Sequence, residues 1–184
     1  MDLKLFPSYK KTSDGKINYG YVDKNNNLII PYMYEYAYPF SSVLAGVRDK
    51  KSHLVGFIDK NNNKIIDYEF DYIHPFICDV TWVCKNGLWM EIDDCGNTLI
   101  APKYLKCSGY KNGLTIVQNA YSKWGVIDRY DNVILPFEYD WLSSVDNKIF
   151  KAFILGTWID VDINQKNKVL NLQKNANFIN YDRK

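Results

Sequence analysis

The sequence predicts an all-β fold built from tandem antiparallel meanders, and three observations carry that prediction. First, a short motif returns along the chain: Tyr19-Gly20-Tyr21-Val22-Asp23, Val55-Gly56-Phe57-Ile58-Asp59, Trp89-Met90-Glu91-Ile92-Asp93, Trp124-Gly125-Val126-Ile127-Asp128 and Trp158-Ile159-Asp160-Val161-Asp162. The five aspartates are 36, 34, 35 and 34 residues apart, a period that marks a repeat architecture. Second, each motif alternates with period two, the signature of a strand. Third, 29 of the 184 residues are Tyr, Phe or Trp, and such density favours strands over helices.

The repeat extends past the motif. Six and seven residues after the first four aspartates stand Ile29-Ile30, Ile65-Ile66, Leu99-Ile100 and Ile134-Leu135, with Lys168-Val169 in the fifth place. Eleven residues on come Tyr34, Phe70, Tyr104, Tyr139 and Gln173; seventeen on come Phe40, Phe76, Tyr110, Val145 and Ile179. At twenty-one stand Leu44, Val80, Leu114 and Ile149, and at twenty-four Val47, Val83, Val117 and Ala152. The period varies only after the seventeenth position, so surface loops near 50–54 and 119–123 absorb the differences.

Each element then has a local reason. The motif is a strand that ends on its aspartate. Asn26, Asn62, Gly96 and Asp131, three residues later, are residue types that tolerate a positive φ in a tight turn. The apolar pair is the returning strand, interrupted by Pro31, Pro102 or Pro136. A third strand carries the later apolar positions, as in Leu114-Thr115-Ile116-Val117. A unit this short cannot bury a core alone, so neighbours must stack. The repeated Trp or Tyr reads as packing between units, with its Gly as room for that ring. The chain divides into a half unit at 1–18, units near 19–54, 55–88, 89–123 and 124–157, and a terminal partial unit at 158–184.

These residues resemble the WG-repeat family of bacterial proteins. Trp124-Gly125-Val126-Ile127-Asp128, Leu135-Pro136, Tyr139-Asp140 and Gly113-Leu114-Thr115-Ile116-Val117 carry the likeness best. Tyr19, Val55, Met90 and Ile159 depart from the pattern. The resemblance implies a repetitive β scaffold used for protein interaction, and it supplies no catalytic residue. Phe6, seventeen residues before Asp23, puts the start of the chain mid-unit, as in a propeller closed from both termini. Polar Lys10, Lys11 and Thr12, and the short period, suit an open solenoid-like stack instead.

Composition narrows function. Lys plus Arg is 23 against 21 Asp plus Glu, too balanced for a nucleic-acid binder that works by electrostatics. No leader-like apolar run follows the basic start, and no stretch reaches the ~18 apolar residues of a membrane span, so a cytoplasmic protein without membrane partner is expected. Cys78, Cys84, Cys95 and Cys107 form no close pair and read as reduced structural thiols. No Walker loop, G-x-G-x-x-G, H-E-x-x-H or G-x-S-x-G occurs, so neither cofactor nor catalytic residue is assigned.

Other candidates have structural readings. Asp23-x-Asn25-x-Asn27 and Asp59-x-Asn61-x-Asn63 begin like calcium loops, but the sixth and twelfth places hold Leu28 and Tyr34, then Lys64 and Phe70. A turn-capping role explains the aspartates instead. Glu35, Asp71 and Asp140 recur at unit spacing, unlike a differentiated catalytic pair. His74 near Cys78 is the one nucleophile–base arrangement to weigh. Three aromatics break the repeat and are candidate partner-binding residues: Trp82, where other units hold Ile116 and Lys151; Tyr121, in a variable loop; and Trp141, in place of Tyr36 and Tyr72. The competing reading for each is compensation within the core. A small-molecule or carbohydrate site, or an unrecognised hydrolase, are the alternatives to a protein-binding scaffold.

Overall fold

The computed structural model describes residues 3–41, 43–146 and 148–165; Lys168, Val169, Gln173 and Ile179 of the fifth unit lie outside them. Eighteen strands follow one another among the described residues, all paired antiparallel within five tandem sheets. The first sheet holds β1 (Phe6–Lys11), β2 (Ile17–Val22) and β3 (Leu28–Tyr34). The second holds β4 (Tyr36–Ala37), β5 (Ala45–Arg48), β6 (Val55–Ile58) and β7 (Lys64–Phe70). The third holds β8 (Tyr72–Ile73), β9 (Val80–Lys85), β10 (Leu88–Asp93) and β11 (Thr98–Tyr104). In the fourth are β12 (Lys106–Lys111), β13 (Leu114–Gln118), β14 (Trp124–Asp128) and β15 (Val133–Tyr139). The fifth has β16 (Trp141–Ser144), β17 (Ile149–Ile154) and β18 (Thr157–Asp162), followed by one 3-10 turn. Within each sheet the strands lie in chain order, and none of the sheets closes into a barrel. No helix among the described residues is long and apolar enough to cross a membrane.

The sheets change over after the aromatic at position eleven, not before the motif: Glu35, Asp71 and Asp140 each stand alone between two strands of successive sheets. The half unit at the start is thus part of a hairpin with β2, and Phe6 opposes Val22 as Ala45 opposes Ile58. Phe6 is thus the counterpart of Ala45.

The motif glycine has a cause other than the one its sequence suggests. In the register of β2 and β3, Tyr19 faces Tyr34 but Tyr21 faces Ile30, so β3 bulges opposite Gly20. A Cβ on Gly20 would lie 2.4 Å from the Ile30 carbonyl oxygen. At Gly56 the obstacles are the Ile66 carbonyl oxygen and the Tyr68 ring, each at 2.6 Å, and at Gly125 the Leu135 carbonyl oxygen and the Phe137 ring, each at 2.9 Å. The glycine therefore makes room for the returning backbone and its ring, not for the motif Trp. Pro31 and Pro136 sit in these bulges, where a missing N–H costs no ladder bond.

The chain forms two compact units, Met1–Lys103 and Tyr104–Lys184. In the first, Tyr21, Ile30 and Tyr34 pack on Ala37, Ala45, Val47 and Ile58. On the other face of the second sheet, Phe57, Ile66 and Phe70 pack on Val83, Met90 and Ile92. Phe57 and Ile58 are chain neighbours that serve two cores, and all four residues of β6 are buried. In the second unit, Ile116, Val126, Leu135 and Tyr139 meet Leu142, Phe150, Ala152 and Val161. Each fully buried large side chain contributes about 1.5–3 kcal/mol relative to exposure, so the shared cores supply what one meander lacks. The outermost strand β1 has no fully buried residue, and Lys10 and Lys11 are exposed, as suits a terminal strand.

Candidate functional site

The turns account for the repeated aspartates. Asp23 Oδ1 accepts the backbone N–H of Asn25 at 2.8 Å and of Asn27 at 2.9 Å, while Oδ2 accepts the Asn27 side-chain amide at 2.9 Å. Asp59, Asp93 and Asp128 repeat the pattern with Asn63, Asn97 and Asn132. Asp162 keeps the bond to the second residue on, Asn164. The Asn27 and Asn132 side-chain amides hold the Asp23 and Asp128 carboxyls below the usual carboxylate range, assisted by the turn amides. Asn26, Asn62 and Asp131 take φ near +65°, and Gly96 +87°. These carboxylates close hairpins.

Glu35, Asp71 and Asp140 serve the scaffold too. Glu35 Oε2 lies 2.5 Å from His53 Nδ1, Asp71 accepts from the Gly87 N–H at 3.3 Å, and Asp140 pairs with Lys123. Each tethers a different hairpin loop. His74 stacks on Trp89 with ring centroids 4.9 Å apart. Cys78 and Asp79 form a turn with φ of +49° and +64°, and Cys78 is exposed.

The three repeat-breaking aromatics separate. Trp82 lies on β9 with 1% exposure, so its ring is core, and the proposal of a surface anchor fails there. Tyr121 is 86% exposed on the loop before β14, where Asn119 Oδ1 accepts its backbone N–H. Trp141 opens β16 at 50% exposure.

Around Trp141 lies a row of rings that the sequence conceals. Its ring sits 5.7 Å from Trp124 at 58°. Across strands, Trp141 opposes Phe153, and Phe153 opposes Trp158. Phe153 and Trp158 are 5.2 Å apart at 47°, and Trp158 is 56% exposed. Lys106 Nζ lies 5.9 Å from the Trp124 ring centre, within cation–π range.

The first unit has its own row, in which Tyr19 and Tyr36 hold the places of Trp124 and Trp141. Tyr9 opposes Tyr19 across β1 and β2, with centroids 6.0 Å apart. Tyr19 meets Tyr36 at 5.0 Å, and Tyr36 meets Tyr38 at 4.9 Å and 73°. Tyr9 is 64% and Tyr36 43% exposed. The motif ring does pack on the next sheet, as Tyr19 on Tyr36 and Trp124 on Trp141, yet one face of the row stays in solvent. The repeat alone reads these rings as packing. The signal that both roles coexist was available: positions four before and thirteen after the aspartate both recur as aromatic.

A family model described as a WG containing repeat matches residues 19–51, 56–89 and 124–158, more than half of the chain. The chain belongs to the WG-repeat family. Searches of curated proteins and of solved structures returned no match. The three matched WG repeats are those that keep the motif glycine opposite a bulged returning strand. The stretch without a match opens with Met90 in the glycine's place, and there Met90 is part of the core.

Proposed function

We propose that this WG-repeat chain is a non-enzymatic scaffold that binds another protein through its aromatic rows. The observation that carries the reading is the pair of half-exposed rings Trp141 and Trp158, aligned through the more buried Phe153 across three adjacent strands. Rigid Trp and Tyr side chains with one face held by neighbours give large contact area at low entropic cost, the character of interface anchors. Tyr121, 86% exposed on the loop before β14, is a further candidate contact.

The mutual tilt of the rings favours a protein over a sugar. Neighbouring rings meet at 47° to 73° in both rows, so they offer ridges and notches instead of one flat stacking platform. Binding assays with wild-type chain and a Trp141→Ala/Trp158→Ala variant, run on native lysate with cross-linking, test the reading. A protein retained by the wild type and lost by the variant supports it. Equal retention by both, or no protein above background, removes it.

A further inference from the structure

The repeat has one place where a side chain has been withdrawn from between two sheets. In register, Gly46 opposes Phe57, Trp82 opposes Glu91, Ile116 opposes Val126 and Lys151 opposes Asp160. These are equivalent positions of successive sheets, and Gly46 is the member without a side chain. Ile73 has moved into part of the space, its Cδ1 only 2.2 Å from where a Gly46 Cβ would stand. Beside it remains a cavity of about 220 Å³.

The walls of that cavity are Leu44, Phe57, Ile73 and Phe76, with Ser41 and His74 also lining it. Lys, Arg, Asp and Glu do not occur among its described lining residues. Its largely apolar walls favour apolar guests of matching size. Drug-sized ligands occupy pockets of roughly 300–1,000 Å³, so this one suits a single or fused ring.

We propose that the recess beside Gly46 is a binding site for a small, uncharged ring compound of about the size of indole. A carboxylate or ammonium on the guest would be desolvated without a counter-charge. The site borders the first aromatic row through Tyr38 but shares no residue with the row around Trp141, so it stands or falls without that one.

The test is an amide NMR titration of the full chain with indole, and with indole-3-acetate as the charged control. The expected result is saturable shifts centred on Leu44, Phe57 and Ile73, with at least tenfold weaker binding of the charged analogue. Leu44→Phe, which fills the recess, is expected to weaken indole binding at least tenfold, and Ser41→Phe at the lining is the second variant should the first lose its native spectrum. No saturable shift up to the solubility of indole overturns the proposal. So do shifts centred on Trp141, or unchanged affinity in a filled variant that keeps its native spectrum.

Discussion

The Tyr34 hydroxyl donates to Asn62 Oδ1 at 2.6 Å, linking the end of one meander to the turn of the next. Tyr104 repeats the bond with Asp131 Oδ1, also at 2.6 Å. Between them, the unit that carries Phe70 in the tyrosine's place has Gly96 in the acceptor's place. Across these three units donor and acceptor are present together or absent together. A hydroxyl buried without its acceptor would cost more than the bond itself contributes, which explains why the two positions change as a pair.

Tyr34→Phe should therefore cost about 1 kcal/mol. Asn62→Gly should cost at least as much, because it strands the tyrosine hydroxyl. The double variant recreates the Phe70/Gly96 pair and should be less destabilised than the sum of the two. Urea unfolding of all four proteins measures the coupling; strict additivity would contradict the linkage.

Burial is the first cause that pushes the Tyr21, Tyr34, Tyr104 and Tyr139 phenols above their ordinary value of 10.0. The folded chain thus keeps protons that the unfolded chain releases. This part of the stability is complete below about pH 10 and declines as the pH climbs toward the raised folded values. Denaturant midpoints taken at rising alkaline pH should fall, and ultraviolet titration should show the exposed tyrosines ionising first.

Asp23 and Asp128 have the opposite sign. Their folded values lie below 3.8, so the turn bonds contribute fully above that value and are lost as the pH falls through the lowered ones. Carboxyl titration by NMR should find both below the ordinary aspartate. Asp128→Ala should cost about 1 kcal/mol or less, given its exposure, and the Asn132 amide should exchange faster in that variant.

Gly20→Ala should destabilise by about 2 kcal/mol or more, since the new methyl meets backbone oxygen that has no room to retreat. Gly87→Ala, where nothing lies within 4 Å of the added carbon, is strained only by its φ of +77°. Calorimetry should therefore rank Gly20→Ala as the more damaging substitution.

Trp82→Ala should cost about 3–5 kcal/mol as a core truncation. Trp141→Ala should cost far less in stability while removing the proposed contact. Thermal melts alongside binding assays separate the two; similar destabilisation by both would show that Trp141 belongs to the core.

The repeat, its strands and its turns could be read from the chain because period-two alternation and residues tolerant of positive φ are local properties. Trp82 and Trp141 look alike in sequence, both breaking the repeat, and only the register of β9 and β16 tells core from surface. The Tyr34–Asn62 link spans 28 residues; its only trace in the chain is the joint exchange at Phe70 and Gly96. The neighbour that requires the motif glycine is not legible in sequence, because the bulge opposite it arises from pairing, which no single segment displays.

Glu35 and Asp71 are single-residue joints with a strand on either side and no slack. Chain length can therefore change at these seams only in whole cassettes. Cutting from one seam to the next leaves a join that still fits, whereas removing a single residue turns every ring on the following strand to the wrong face. Such a molecule lengthens and shortens by copying or excising complete modules, and the hairpin loops are left to accommodate every smaller edit.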